Sequence, residues 1–157
     1  MNSSNQKQRI AIGADHAGFA VKQAIKRHLE QAGYTVEDVG TFSEESVDYP
    51  DSARAVAERV AAGKEPLGVL VCGTGIGVAI AANKVPGIRA AVVHDKVTAR
   101  AAREHNDANV LTLGARVVDP SQAVEIVKEF LDAQFVGGRH QKRIDKISEM
   151  EQVRIRR

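Results

Sequence analysis

Cysteine is almost absent from this sequence: Cys72 stands alone. One thiol excludes an intramolecular disulfide and fits a reducing compartment. No apolar run approaches the roughly 20 residues that cross a bilayer. The polar start, Met1 to Gln8, lacks the apolar core of a signal peptide and reads as a disordered leader, so a cytoplasmic location is expected. Tryptophan is missing and aromatics make up only 4% of the chain. Charge of one sign is scarce too. The formal net charge of +2 is too small to argue for a nucleic-acid or membrane partner. No two histidines have metal-ligand spacing, so no metal site is expected.

Apolar residues, at 43% of 157, are enough for one globular core. A single domain over 9–151 is expected, with 1–8 and 152–157 as disordered ends. The small net charge hides an imbalance. From Arg139 to Arg157, seven Lys/Arg face three Asp/Glu, a surplus of four. This basic segment reads as a solvated helix or as an anion clamp.

Strand and helix patterns alternate along the chain. Expected strands are Arg9–Ala14, Tyr34–Val39, Leu67–Val71, Arg89–Val93 and Asn109–Leu113, mostly near-continuous apolar runs. Between them lie helical stripes: Val21, Ala24, Ile25, Leu29 and Ala32; then Ala53, Val56, Ala57, Val60 and Ala61. Shorter helices are expected after the glycine turn and from Val97 to His105. Another runs from Ser121 to Phe135, and a last one from Arg139 to Met150. This alternation predicts an α/β, doubly wound (Rossmann-like) five-stranded parallel sheet with helices on both faces. The final helix has few apolar positions and is expected to pack on a partner subunit. Such sheets bind ligands outside the carboxyl ends of their strands. Asp15 and His16, Cys72 to Gly77, and His94 and Asp95 all fall there.

Cys72 ends an apolar strand and precedes Gly73-Thr74-Gly75-Ile76-Gly77. Strand, glycine turn and helix make a cradle whose backbone N–H groups favour negative charge. A thiol there is expected to ionise more readily than a free one. Thr74 reads as a helix cap or as a donor to a reacting oxygen. Asp15-His16 is an N-cap with an incidental histidine, or part of a site. His105 ends a helix, where the dipole favours it, and is also a plausible proton shuttle. Arg139 and Arg143 lie one helical turn apart, on a solvated face or against a phosphate. His28 reads as structural; His94 and His140 are left undecided. Gly73-x-Gly75 begins a dinucleotide fingerprint, but Val78 takes the third glycine's place, so the NAD signal is weak.

Five motifs occur in order. They are Gly13-Ala14-Asp15-His16-Ala17-Gly18-Phe19, Asp48-Tyr49-Pro50-Asp51, Cys72 to Gly77 with Ala81-Ala82-Asn83-Lys84, His105 to Leu111, and Gly137-Gly138-Arg139-His140-Gln141-Lys142-Arg143. Together they resemble ribose-5-phosphate isomerase type B, a family that also includes galactose-6-phosphate isomerase subunits. The resemblance runs from about Arg9 to Glu151. It implies a cofactor-free aldose–ketose isomerase that interconverts ribose 5-phosphate and ribulose 5-phosphate. It further implies Cys72 as the proton-abstracting base, Thr74 as an aid to proton transfer, and His105 as the group that helps open the furanose ring. Gly73, Gly75, Ile76 and Gly77 match the loop that holds the enediolate. Asp15, His16 and Asn106 match substrate-binding positions, and Arg116, Arg139 and Arg143 match positions that bind chiefly the phosphate. Asp48 and Tyr49 match a loop bordering the site. The family implies homodimers, or tetramers built from them, whose active sites combine residues of both chains. Alternatives are another sugar phosphate (galactose 6-phosphate, allose 6-phosphate or a tetrose phosphate), an NAD-dependent oxidoreductase with Asp95 on the ribose hydroxyls, and a non-catalytic phosphosugar sensor.

Overall fold

The computed structural model describes residues 7–155. The expected tails at 1–6 and 156–157 lie outside the described residues. Five strands, β1 (Arg9–Ala14), β2 (Thr35–Asp38), β3 (Leu67–Cys72), β4 (Ala90–Val92) and β5 (Val110–Gly114), form one parallel sheet in the order β2-β1-β3-β5-β4. The helices are α1 (Phe19–Gln31), α2 (Tyr49–Ala61), α3 (Ile76–Ala82), α4 (Lys96–Glu104), α5 (Pro120–Asp132) and α6 (Arg139–Ile155). The expected doubly wound sheet is the observed one.

Crossovers between parallel strands are right-handed, so the direction of travel along the sheet decides each helix's face. The α1 and α4 connections run one way and share a face with α5, around Ile12, Ile25, Leu111, Val127 and Phe130. The α2 and α3 connections run the other way. Their smaller core holds Ala11, Ala53, Val56, Leu70, Cys72 and Val78. The chain leaves β1 toward one edge and β3 toward the other, so a crevice opens between their carboxyl ends.

Local chemistry sets most boundaries. Asp119 and Gln122 form a reciprocal capping box, with Pro120 in the first turn of α5. Pro50 likewise lets α2 begin at Tyr49, earlier than the expected start after Asp51. β4 is shorter than the pattern predicts, although the Arg89 carbonyl still accepts the Asn109 N–H and the Val93 N–H still donates to Thr112 O, both at 3.0 Å. It is an edge strand. Asn83 seals it by accepting the Ala90 N–H at 2.8 Å and donating to the Ala90 carbonyl at 3.0 Å.

Two results differ from expectation. Residues 152–155, expected in an unstructured end, continue α6 as helix to Ile155. On α1, Val21, Ile25 and Leu29 are buried as the spacing predicts, but so is Lys22.

Candidate active site

The crevice is lined mainly by backbone turns. The Asp15 N–H continues the β1–β3 pairing by donating to Val71 O at 3.2 Å, which sets Asp15 beside the end of β3. Its carboxylate turns back to accept the Gly18 N–H at 3.0 Å. Gly18 is obligatory: a Cβ there would lie 2.4 Å from Val71 O. His16 Nδ1 accepts the Val47 N–H at 3.1 Å, leaving Nε2 to carry the ring proton of the neutral form.

Across the crevice, Cys72 ends β3 with only 4% of its surface exposed. Its Sγ accepts the Gly75 N–H at 3.2 Å. Gly75 has φ +78, and a Cβ on it would lie 2.8 Å from the Leu113 carbonyl carbon. Its own carbonyl accepts the Thr112 hydroxyl at 2.8 Å. Thr74 is exposed, and its Oγ1 accepts the Ile76 N–H at 3.3 Å. Two amides of the turn are therefore engaged within it, where the sequence suggested a cradle of N–H groups for negative charge. The exposed Arg116 donates its N–H to Gly73 O at 3.0 Å, and its guanidinium lies against the open side of Gly73. The Tyr49 ring covers Gly77, where a Cβ would come within 2.6 Å of it. Asp48, exposed, occupies the N-cap of α2 without spending its carboxylate on the helix.

The remaining candidates gather at the opposite end of the sheet. His105 is the C-cap of α4, and with Asn106 it precedes the amino end of β5. Cys72 pairs with Gly114 at the other end of that strand. Roughly 13 Å of β5 backbone therefore separates the two groups. The exposed ring of His105 stacks on that of His140, with centroids 4.5 Å apart and planes 12° from parallel. His140 is buried, while Arg139 and Arg143 on either side of it are exposed. Burial, then the nearby His105, Arg139 and Arg143, push the His140 pKa below its ordinary value. The turn after His105 is held by Asp107, whose carboxylate accepts from Arg103 at 2.9 Å and from Arg89 at 3.2 Å.

A model of the ribose/galactose isomerase family matches residues 10–147. The chain belongs to that family. Ribose-5-phosphate isomerase B of Escherichia coli is 49% identical over 147 residues, covering 94% of this chain and 99% of the relative. Ribose-5-phosphate isomerase B of Clostridium thermocellum superposes with a TM-score of 0.91 at 53% identity, over 92% of this chain and 97% of that one. The Mycoplasma genitalium enzyme, solved with bound ribulose 5-phosphate, gives a TM-score of 0.88 at 46% identity, over 92% and 96% of the two chains. The expectation of an aldose–ketose isomerase, read from the five motifs, is met by the family.

Of the two undecided histidines, His94 accepts the Gly114 N–H at Nε2, 3.0 Å away. A Cβ on Gly114 would lie 2.6 Å from the Thr74 carbonyl carbon, so His94 props the strand end on which the turn rests. Asp95 caps α4 by accepting from the Thr98 amide and hydroxyl at 2.7 and 2.9 Å, and these bonds pull its pKa down. The Asp95 carboxylate is thus spent on the helix, against the ribose-binding role that the dinucleotide reading gave it.

Proposed function

We propose that this protein interconverts ribose 5-phosphate and ribulose 5-phosphate without a cofactor, in the cytoplasm, as a homodimer. The observation that carries the reading is the turn Cys72 to Gly77 at the sheet's switch point, facing Asp15 and His16. Isomerisation moves a proton between adjacent carbons through an enediolate, which needs a base, a stabilised oxyanion and a relay between oxygens. Cys72, as thiolate, takes the C2 proton of the open-chain aldose and returns it to C1. Thr74, on the exposed side of the turn, passes a proton between the two oxygens. Gly73, Gly75, Ile76 and Gly77 keep the backbone close to the intermediate, since side chains there would hold it off. Asp15, His16, Asp48 and Tyr49 border the sugar.

His105 moves a proton onto the ring oxygen as the furanose opens, and Asn106 binds the sugar beside it. Arg139 and Arg143, with Arg116, hold the phosphate, to which guanidinium is well matched. His105, Asn106, Arg139 and Arg143 reach Cys72 only from a second copy, because in one chain they lie at opposite ends of the sheet. The surfaces favour such a pairing. Ile76 and Ile80 form an exposed apolar ridge on α3, while a cleft of about 560 Å³ opens between α6 and the β4 edge. Ile88, Ala90, Ala108, Ile147 and Met150 line that cleft, with Asn106 at its rim. Seating the ridge in the partner's cleft brings Cys72 of one copy toward Asn106 of the other. Only His140 and Ile144 of α6 are buried in the chain itself.

The direct test is conversion of ribose 5-phosphate by the purified protein, side by side with galactose 6-phosphate, allose 6-phosphate and erythrose 4-phosphate. The five-carbon sugar is expected to have the highest kcat/KM. Cys72→Ala, correctly folded by circular dichroism, should lose on the order of 10²–10⁴-fold in kcat. Near-normal turnover by that variant removes the proposed base.

A further inference from the structure

Lys22 is the only fully buried lysine among the described residues. Its Nζ donates to both carboxylate oxygens of Asp38, at 2.7 and 2.8 Å, and to the Thr41 carbonyl at 2.6 Å. All three of its protons are thereby used. The Phe19 and Phe42 rings lie 5.4 and 5.0 Å from it. Asp38 is also committed, accepting the Gly40 N–H at 2.9 Å and, at 3.4 Å, a bond from the partly exposed Lys26 of α1. The clamped pair Gly40-Thr41 is zipped to the last residue of β1: Ala14 N–H donates to Gly40 O, and Thr41 N–H to Ala14 O, both at 2.8 Å. Asp15 and His16 come next in the chain. Farther along the clamped loop, Val47 bonds to His16, and Tyr49 lies over Gly77.

A buried ion pair is a poor source of stability, since apolar residues of similar volume often serve as well or better. Burial pushes the Lys22 pKa down against the pull of Asp38, so the charge is held here at a cost. Each bond that offsets this cost goes to the end of β2 or to the loop after it, none to the helices that build the core. We infer that Lys22 is a positioning residue: with Asp38 it fixes the loop from Gly40 to Asp48, and so sets His16 and Tyr49 against the catalytic turn. This deepens the isomerase reading and rests on it for the catalytic consequence alone.

The test replaces both partners, Lys22→Met with Asp38→Leu, so that no unpaired charge is left buried. Two quantities are read: amide hydrogen exchange at Thr41 and Val47, which donate to Ala14 O and His16 Nδ1, in the intact protein, and the steady-state kinetics of ribose 5-phosphate isomerisation. Exchange at Thr41 and Val47 should rise at least about tenfold, while β1 and β3 amides stay protected. The kcat/KM should fall of order 10- to 100-fold, mainly through KM, because misplaced binding groups act before the chemistry does. Unchanged exchange in the folded double variant overturns the clamp. Raised exchange with unchanged kcat/KM overturns its role in positioning. Should the double variant not fold, Asp38→Asn carries the same two readouts in weaker form, and wild-type values in it also overturn the inference. A wild-type protein inactive on ribose 5-phosphate refutes the isomerase reading instead, and the exchange result still judges the clamp.

Discussion

The two ends of the sheet are built on different principles. At the carboxyl end, main-chain geometry does the positioning. Gly18, Gly75 and Gly114 each sit where a Cβ would come within 2.8 Å of backbone. The Cys72 sulfur is held by an amide three residues on. At the amino end, long side chains reach outward from an exposed helix. One stacked histidine pair, Ile144 and a hydrogen bond from the Gly87 N–H to Glu151 tie that helix to the domain. The first region is braced by its own backbone. The second has charge and reach but little support of its own. A base and an oxyanion site tolerate little misplacement, which suits the roles proposed for the backbone-braced end. The proposed phosphate clamp would act on a distant, doubly charged group, for which longer arms suffice.

The largest effect expected from this division is complementation between defective chains. Cys72→Ala and Arg143→Ala damage opposite ends, and each should depress activity by 10-fold or more on the order-of-magnitude scale of such groups. Co-refolded in equal amounts, half of the dimers would be mixed, and each mixed dimer would keep one intact site. Activity should then return to about a quarter of wild type. No recovery, with mixed dimers demonstrated by native mass spectrometry, would mean that both ends serve one chain.

Next in size is Gly75→Ala. With φ +78 and only 2.8 Å to the Leu113 carbonyl carbon, the new methyl strains the turn from two sides. A loss of about 2–4 kcal/mol is expected in urea unfolding. Gly33→Ala offers the contrast: its φ is +95, but nothing lies within 4 Å of the added carbon. It should cost only about 1 kcal/mol.

A smaller effect concerns pH. His140 is held below the ordinary value of 6.5, so the fold prefers its neutral form. The unfolded chain takes up the proton first as pH falls. Stability from this residue is therefore full above about pH 6.5 and declines from there down to the depressed value. The protection factors of the α6 amides, exchange corrected for its intrinsic pH dependence, should fall from pH 7.5 to 5.5, ahead of those of the sheet amides. His140→Phe should flatten that dependence while keeping the stack. A flat profile in the wild type would mean that the stack does not hold α6 down.

The smallest expected effect is at the far end of the same helix. Glu151 accepts the Gly87 N–H at 3.0 Å on the exposed surface. Glu151→Ala should change global stability by no more than about 0.5 kcal/mol, as read by urea midpoint. A larger loss would show that α6 is bound to its own chain more firmly than its exposed Met150 and Val153 suggest.

Much of the carboxyl end was legible in the sequence, because its signals are local. An apolar run ending in Cys72, followed by three glycines in five residues, specifies a strand and a turn through backbone sterics alone. Lys22 was not legible: it lies next to Val21 on a helix whose apolar stripe accounts for the burial without it. What buries the lysine is Asp38, sixteen residues away on β2. His94 was undecided for the same reason, since its partner, the Gly114 amide, lies twenty residues on.

By itself, then, the sequence determined the alternation of strands and helices, the doubly wound class, the glycine turn and the family. The first three follow from periodicity, caps and steric freedom, all of which act within a few residues. Tertiary structure alone decided the strand order, the near-complete covering of the Cys72 sulfur and the burial of Lys22. It also parted His105, Asn106, Arg139 and Arg143 from Cys72 by the length of a strand. A hydrophobic pattern says which face of an element is covered, but not which element covers it. That is settled by pairings between residues far apart in the chain, whose closure no local propensity encodes.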